Sequence, residues 1–261
     1  MAGKGFDLSG KVALVTGGNG GIGLGMAEGM AQAGCDLVIW GGNPDKNAAA
    51  EKKLSAYGRK VLVQKVNVAD EAQVETAMAE ALKKMGRIDG CFANAGVSQK
   101  RAVFHELSTE EWRRVLSVNL DGAFFTLRAA ARHMVERSQN GDKAGGRLVG
   151  MASTAGVHGA ARAESYAASK GAMLSLVRAL AVGMARYGVT ANSILPGWIE
   201  TEMTAAGVAD PKFSGNVLPR IPVRRWGQGS DFAGIATYIM SDTSQYHTGD
   251  SFVIDGAYTI F

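Results

Sequence analysis

Lys11-Val12-Ala13-Leu14-Val15-Thr16 leads directly into Gly17-Gly18-Asn19-Gly20-Gly21-Ile22-Gly23, and this stretch decides the fold. The short apolar, β-branched run predicts a buried strand, and the glycines after it predict a tight turn. Residues 22–33 then have the pattern of a helix, which Gly34 closes. A strand, a glycine-rich turn and a helix in this order predict the first unit of a parallel sheet.

The alternation of strand and helix continues to the end of the chain. A further helix begins after Ser108, where Glu111 completes a capping box. This pattern predicts an α/β fold, a single-domain doubly wound parallel sheet (Rossmann-like) with helices on both faces. The other strands are predicted at residues 36–40, 61–68, 89–93, 147–153, 189–195 and 251–254, and the other helices at 44–57, 71–85, 165–186 and 230–241.

No shift of composition divides residues 1–261, so we predict a single domain. Residues 198–229 have little periodicity and contain three prolines. An irregular stretch of this length inside a compact domain is usually functional, so we predict a substrate loop or lid there. Met203 and Phe213 within it are candidates to shape the substrate pocket, with packing of the lid as the equal alternative. His158 outside it is a further candidate, with an ordinary loop histidine as the alternative.

Composition excludes several classes of protein. The net charge is only +4 and no block of Lys and Arg occurs, so neither nucleic acid nor a membrane is an expected partner. Cys35 and Cys91 lie in apolar runs, which predicts reduced core thiols, and their spacing gives no metal site. The N-terminus has no apolar signal segment and no run of about 18 apolar residues occurs. We therefore expect a soluble, cytoplasmic protein without a metal.

The glycines after the first strand fit two binding patterns. Gly17, Gly21 and Gly23 fit T-G-x-x-x-G-x-G, whereas Gly18, Gly20 and Gly23 fit G-x-G-x-x-G. In either pattern the glycines let the backbone approach a pyrophosphate at the helix N-terminus. A plain glycine-rich turn is the alternative, and the strand before it and the helix after it argue against that.

The end of the second predicted strand bears on the choice between NAD and NADP. Its tip, Trp40-Gly41-Gly42-Asn43, has no carboxylate to bind a ribose 2′-hydroxyl. Asn43 or Lys46 could contact a 2′-phosphate, although no Arg stands nearby. We therefore expect NAD(P), with NADP slightly favoured over NAD. Trp40 either packs at the sheet edge or flanks the adenine.

Tyr166 and Lys170 stand four residues apart in a predicted helix. This spacing places both side chains on one helix face. A neighbouring cation favours the phenolate and lowers the pKa of a phenol. A phenol tuned in this way can exchange a proton during interconversion of an alcohol and a carbonyl compound.

The chain resembles the short-chain dehydrogenase/reductase family over essentially its whole length. The resemblance is carried by the segment 16–23, Asn94-Ala95-Gly96, Asn119, Ser153, the Tyr166 and Lys170 pair, and Pro196-Gly197. It implies an NAD(P)-dependent oxidoreductase that interconverts a secondary alcohol and a ketone. The closest branch includes 3-oxoacyl-carrier reductases and dehydrogenases of polyols, sugars and cyclic alcohols.

The resemblance also implies catalytic roles. Tyr166 is the expected general acid/base, and Lys170 lowers its pKa and binds the nicotinamide ribose. Ser153 holds the substrate oxygen, and Asn119 anchors a water that leads protons away from Lys170. As alternatives, Ser153 is a strand-end turn residue and Asn119 an ordinary polar residue of its helix.

The expected cofactor contacts follow the family's motifs. Asn67-Val68 occupies the place of a family Asp-Val at the adenine, where Asn keeps an acceptor but loses the charge. Ile199 and Thr201 are expected at the nicotinamide carboxamide. The complete predicted set is Gly17, Asn19, Gly21, Ile22, Gly23, Gly41, Gly42, Asn43, Asn67, Val68, Asn94, Ala95, Gly96, Tyr166, Lys170, Pro196, Gly197, Ile199 and Thr201.

Other functions are less well supported by the sequence. A catalytically silent nucleotide-binding redox sensor would need none of the four catalytic residues. Enoyl reduction usually goes with a wider spacing of Tyr and Lys, and an epimerase or dehydratase with a longer C-terminal substrate domain. The resemblance implies a homotetramer or homodimer, and the mostly apolar helix 167–185 is compatible with packing against a partner subunit.

Overall fold

A computed structural model describes residues 4–100, 102–142 and 144–261 of the chain. In this part the core is one parallel sheet of seven strands in the order β3-β2-β1-β4-β5-β6-β7. The predicted single doubly wound sheet is confirmed. The strands are β1 (Val12–Thr16), β2 (Asp36–Gly41), β3 (Val61–Lys65), β4 (Gly90–Ala93), β5 (Gly146–Met151), β6 (Val189–Pro196) and β7 (Ser251–Ile254).

Helices cover both faces of the sheet. They are α1 (Gly21–Gln32), α2 (Pro44–Ser55), α3 (Glu71–Met85), α4 (Thr109–Leu116), α5 (Gly122–Gln139), α6 (Glu164–Met184), α7 (Ala205–Ala209), α8 (Pro211–Val217) and α9 (Ala233–Met240).

The central strands are buried on both faces, as continuous apolar runs predict. Val12 and Leu14 of β1 belong to one core cluster, whereas Ala13 and Val15 belong to the cluster on the opposite face. This alternation follows from the two-residue period of a strand. Each face therefore buries its own apolar layer under its own set of helices.

Both cysteines and Trp40 are part of this core. Cys35 and Cys91 are free and fully buried, and burial raises the pKa of each thiol. The indole of Trp40 is buried and donates to Gln64 Oε1 at 2.8 Å, so Trp40 packs within the sheet.

The order of the strands creates a divergence beside β1. The chain moves outward from β1 to β2 and β3, then crosses back to place β4 on the other side of β1. In an open parallel sheet, the crevice outside the carboxyl ends of strands at such a reversal is the usual ligand site. The residues after β1 and β4 therefore face the predicted dinucleotide site.

Four local features differ from the sequence predictions. β3 ends at Lys65, so Asn67 and Val68 lie in the connection to α3. β5 ends at Met151, and Ser153 caps a short 3₁₀ turn after it. A π-helical turn, Ser117–Asp121, separates α4 from α5.

The fourth difference is at the start of α4. The Ser108 hydroxyl accepts from Glu111 N as predicted. However, the Glu111 carboxylate accepts from Lys100 N and pairs with Arg114. These contacts take the place of the second hydrogen bond of a capping box, in which Glu111 would accept from Ser108 N.

Both ends of the segment 198–229 lie against α1. A Cβ added at Gly21 would stand 3.1 Å from Thr201 Cγ2, and one added at Gly25 would stand 2.0 Å from the carbonyl oxygen of Gly229. Between these anchors the segment contains the short helices α7 and α8. The predicted irregular stretch is therefore folded and attached to the first helix at each end.

One helical segment among the described residues, Glu164–Tyr187, is long and apolar enough to cross a membrane by length and composition. This differs from the expectation that no such run occurs. The segment contains α6, which packs against β5 and β6 and has Lys170 buried in its first half. It is the central helix of this fold on one face of the sheet.

We predict that Gly25→Ala destabilises the chain, because the new methyl group would overlap the Gly229 backbone in a contact that cannot open without moving the segment's end. Overpacking of this kind costs about 1–3 kcal/mol. Urea unfolding followed by circular dichroism measures it.

The matched control is Gly234→Ala on α9, where an added Cβ meets no atom within 4 Å. There the better helix propensity of Ala should raise the free energy of unfolding by up to about 1 kcal/mol. Equal unfolding midpoints for the two variants would contradict the packing described for α1.

Candidate active site

A cavity of about 300 Å³ opens at the carboxyl edge of the sheet, where β1 and β4 diverge. Fourteen of the predicted residues lie around it, together with several that the sequence did not single out. Its lining consists of Gly17, Asn19, Gly20, Gly21, Ile22, Lys46, Asn94, Ala95, Gly96, Met151, Ala152, Ser153, Tyr166, Lys170, Pro196, Gly197, Ile199, Thr201, Glu202, Met203 and Thr204.

The glycine-rich turn adopts the first of the two predicted patterns. Gly17 and Gly21 have φ of +63° and +49°, a conformation that favours glycine. A Cβ at Gly23 would stand 2.3 Å from the carbonyl oxygen of Gly17, so only glycine lets α1 start this close to the turn. The first amides of a helix have no partner within the helix, and here two of them belong to Gly21 and Ile22, which line the cavity.

The turn is tied to the end of β4 by Thr16 and Asn94. Thr16 Oγ1 accepts from the backbone amides of Asn94 and Ala95, both at 2.9 Å. In return, Asn94 Nδ2 donates to the carbonyl oxygens of Thr16 at 2.8 Å and of Gly17 at 3.3 Å. The side chain of Asn94 thus shapes the turn, and Thr16 is a residue whose role the sequence analysis missed.

Tyr166 and Lys170 lie on the same face of α6, as their spacing predicts. Lys170 Nζ is 5.5 Å from the centroid of the Tyr166 ring and donates to the carbonyl oxygen of Met151 at 2.7 Å. Lys170 is buried, Tyr166 is half-buried, and both line the cavity. The carbonyl at the end of β5 therefore fixes the ammonium beside the phenol.

The pKa of the Tyr166 phenol differs from the sequence expectation. Burial raises it, and a hydrogen bond with the Ser153 hydroxyl opposes that rise. Burial also lowers the pKa of Lys170 to about 8, because a charged amine is disfavoured away from water. Lys170 Nζ thus donates its hydrogen bond to Met151 O, and burial rather than the neighbouring amine sets the direction of the Tyr166 pKa.

Ser153 is buried at the end of β5, where the chain turns into the loop that precedes α6. Its Oγ accepts from Ala155 N at 3.2 Å, which leaves its hydroxyl hydrogen for Tyr166 or a substrate oxygen. Ser153 is therefore a turn-capping serine that also faces the phenol, and its contact with a substrate oxygen stays a prediction.

Asn119 lies in the π-helical turn and is almost completely buried. Its Oδ1 accepts from Val97 N at 2.8 Å, and its Nδ2 donates to Val97 O at 3.0 Å and Ser169 Oγ at 3.2 Å. Ser169 Oγ donates to the carbonyl of Tyr166 at 2.7 Å. Asn119 therefore joins the segment after β4 to the helix of Tyr166 and Lys170, and π turns are frequent at functional sites.

A second buried link fixes the start of α6. Ser165 N and Oγ both donate to Gln99 Oε1, at 2.8 and 2.7 Å. Gln99, Ser165 and Ser169 carried no motif in the sequence. Their role could not be predicted, because it arises only from the folded structure, in which the segment after β4 lies beside the start of α6.

The predicted adenosine contacts lie outside the cavity lining. Asn43 caps α2, with its Oδ1 accepting from Asp45 N and Lys46 N. Asn67 Oδ1 accepts from Ala69 N, and Val68 packs beneath Gly122. Gly41 is buried, and Gly42 is exposed at the tip of β2. Their contact with a cofactor stays a prediction.

On the other side of the cavity, aromatic rings support the segment 198–229. Trp198 makes edge contacts with Phe213 at 5.2 Å, Trp226 at 6.4 Å and Tyr258 at 6.4 Å between ring centroids. Phe213 belongs to this cluster, whereas Met203 lines the cavity. His158 is exposed and 6.2 Å from Tyr258. In residues 4–100, 102–142 and 144–261 no group of three His, Cys, Asp or Glu could hold a metal ion.

A parallel sheet with a glycine-rich turn, and a Ser, a Tyr and a Lys around the same cavity, is the arrangement of a dinucleotide-dependent oxidoreductase. A family model described as Enoyl-(Acyl carrier protein) reductase matches residues 17–259. The chain belongs to the short-chain dehydrogenase/reductase family. It is an NAD(P)-dependent enzyme that interconverts alcohols and ketones.

Similar proteins cover nearly the whole chain. It is 34% identical to gluconate 5-dehydrogenase of Gluconobacter oxydans over 255 residues, 98% of this chain and 97% of the relative. It is 31% identical to a 3-oxoacyl-[acyl-carrier-protein] reductase of Chlamydia pneumoniae over 254 residues, 97% and 99% of the two chains. A crystal structure of gluconate 5-dehydrogenase from Burkholderia cenocepacia with NADP and tartrate is 35% identical, with a TM-score of 0.91 over 98% of each chain. These relatives are enzymes, so the redox-sensor alternative is not favoured.

We predict a pH signature of the buried Lys170 amine. Its pKa is about 8 when folded and about 10.4 in an unfolded chain. Between these values the unfolded chain holds the extra proton, so the folded state gains up to about 1.4 kcal/mol per pH unit as the pH rises. Below pH 8 the amine is protonated in both the folded and the unfolded state, so the penalty for burying its charge lowers the free energy of unfolding by its full amount.

Urea unfolding of the wild type and Lys170→Met at pH 7, 8, 9 and 10 measures this signature. The difference between their free energies of unfolding should move in favour of the wild type above pH 8. Lys52→Met, at an exposed position of α2, controls for the substitution itself. A difference independent of pH would show that Lys170 titrates as an ordinary lysine.

Proposed function

We propose that the chain uses NADP(H) to interconvert a secondary alcohol and a ketone, with Tyr166 as general acid/base, and that its substrates are polyhydroxylated carboxylic acids. The observation that carries the catalytic assignment is the convergence of Ser153, Tyr166 and Lys170 on the one cavity that the glycine-rich turn also lines. Hydride transfer needs a dinucleotide and a proton donor side by side.

The residues present fit a dinucleotide. The conformations of Gly17 and Gly21 bring backbone amides to the cavity, and no side chain at Gly23 stands between the turn and α1. Such a helix start favours a pyrophosphate. Pro196, Gly197, Ile199 and Thr201 line the opposite side, where they would hold the carboxamide end.

The chain's own part in the reaction is orientation and proton transfer. When bound, the nicotinamide supplies or accepts the hydride. The Ser153 hydroxyl donates a hydrogen bond to the substrate oxygen, and Tyr166 donates its proton to that oxygen during reduction. In oxidation Tyr166 accepts the proton. The ammonium of Lys170 lies near the phenolate that results, and Asn119 fixes the helix that carries Tyr166 and Lys170.

The substrate class is supported by the names of the relatives. Gluconate is a polyhydroxylated carboxylate, and the gluconate 5-dehydrogenase structures are similar to this chain along its full length. The relative named for 3-oxoacyl reduction makes acyl thioesters the second class to examine. The description of the family model points to enoyl reduction, whereas the four-residue spacing of Tyr166 and Lys170 favours carbonyl reduction.

We expect the wild type to oxidise NADPH, followed at 340 nm, with a keto acid of the gluconate series. Removing the phenol hydroxyl removes the general acid, so Tyr166→Phe should lower kcat about 100-fold to 10,000-fold. The affinity for NADPH, measured by calorimetry, should be almost unchanged. The panel also contains a cyclic ketone, a 3-oxoacyl thioester and an enoyl thioester.

Tyr246→Phe, at a fully exposed tyrosine, is the matched control and should keep the wild-type rate. A Tyr166→Phe variant that retains most of its kcat would rule out the assigned role. Turnover of the enoyl thioester alone would replace carbonyl reduction by enoyl reduction.

We further propose a cytoplasmic homotetramer or homodimer. The reduced, buried state of Cys35 and Cys91 fits the cytoplasm. Val182 on α6 is 83% exposed and Phe124 on α5 is 40% exposed. Large apolar side chains left exposed on helices are typical of a surface that a partner subunit covers.

Light scattering should therefore give a mass of two or four chains. Placing charge on this surface with Phe124→Lys and Val182→Lys together should lower the mass, because unpaired charges oppose burial. Tyr246→Lys should leave the mass unchanged. A wild-type mass equal to one chain would exclude the proposed assembly.

A further inference from the structure

The charged residues around the cavity are few and paired in a specific way. Its lining contains three Lys or Glu side chains: Lys46, Lys170 and Glu202. Lys170 donates to Met151 beside Tyr166 and is buried. Lys46 and Glu202 form an ion pair with each other at the outer part of the cavity.

This ion pair joins two separate parts of the fold. Lys46 lies in the first turn of α2, directly after the tip of β2, whereas Glu202 follows Thr201 in the segment 198–229. Their side chains are 39% and 77% exposed, so the pair is accessible from solvent. The contact therefore connects α2 to the segment 198–229 at the cavity lining.

The tip of the second strand is where enzymes of this architecture distinguish NAD from NADP. No carboxylate follows β2 directly, and the acceptor oxygen of Asn43 is already used by the amides of Asp45 and Lys46. Asn19 likewise donates to Asn47 Oδ1 at 2.7 Å. Lys46 is thus a cation of the cavity lining close to this tip, where it could meet a ribose 2′-phosphate, and it is paired with Glu202.

We propose that Glu202 is a specificity-determining residue whose carboxylate competes with the cofactor's 2′-phosphate for Lys46. The inference rests on the proposed dinucleotide function. An exposed ion pair is weak, whereas a phosphate offers more charge and several acceptor oxygens. The phosphate therefore replaces Glu202 on Lys46, and the cost of this exchange reduces the preference for NADP over NAD.

Calorimetric titration of the full chain with NADPH and with NADH measures the competition. Glu202→Gln removes the competing charge and should tighten NADPH about twofold to fivefold, the range expected for an exposed ion pair. NADH, which has no 2′-phosphate, should bind with unchanged affinity. Lys46→Met should weaken NADPH about tenfold or more, since it removes a charged hydrogen bond.

The double variant is the decisive measurement. If Glu202 acts through Lys46, Glu202→Gln should have no effect on NADPH in the Lys46→Met background. Glu200→Gln is the matched control, because Glu200 is exposed, two residues away and outside the cavity lining. Titrations with 2′,5′-ADP and 5′-ADP, which lack the nicotinamide half, measure the contribution of the 2′-phosphate by itself.

Three results would overturn the proposal. One is an unchanged ratio of NADPH to NADH affinity in Glu202→Gln. Another is an equal gain with and without Lys46. The third is a parallel loss of both dinucleotides in Lys46→Met, which would assign Lys46 to the pyrophosphate. Failure of the wild type to bind either dinucleotide would instead overturn the proposed function itself.

Discussion

The hydroxyl of Thr16 is the point on which the architecture of the site depends. It accepts backbone hydrogen bonds from Asn94 and Ala95 at the end of β4, while the Asn94 amide returns hydrogen bonds to Thr16 and Gly17. β1 and β4 are adjacent in the sheet but separated by two complete strand and helix units in the chain. These reciprocal bonds hold the glycine-rich turn open where the strands diverge, and the cavity lies directly above them.

The helix α6 is fixed by polar groups that contact neither the Tyr166 ring nor the Lys170 ammonium. Asn119 reaches α6 through Ser169, and Gln99 reaches it through Ser165. Because buried polar groups must be paired, these contacts allow few alternative positions of the helix. The face that carries Tyr166 and Lys170 is therefore set by the segment after β4, the same segment that borders the glycine-rich turn. The segment after β4 thus aligns the glycine-rich turn with Tyr166 and Lys170.

The architecture and most of the site could be predicted from the sequence. The apolar runs of β1, β5 and β6 and the four-residue spacing of Tyr166 and Lys170 carry strong local signals. Three features could not be predicted. The π turn at Asn119 depends on tertiary hydrogen bonds to Val97, which outweigh the helical preference of the surrounding residues. The raised pKa of Tyr166 depends on burial, which a helical spacing does not report. The ion pair of Lys46 and Glu202 joins residues 156 positions apart, beyond any local pattern.

The anchoring of the segment 198–229 has an optical consequence. Its two ends are fixed on α1 by contacts at Gly21 and Gly25, and its aromatic core contains Trp198 and Trp226. These are two of the four tryptophans in the chain, with ring centroids 6.4 Å apart. Part of the intrinsic fluorescence of the unlabelled protein therefore comes from this segment beside the cavity, and changes in that part of the emission report rearrangement of the segment in real time.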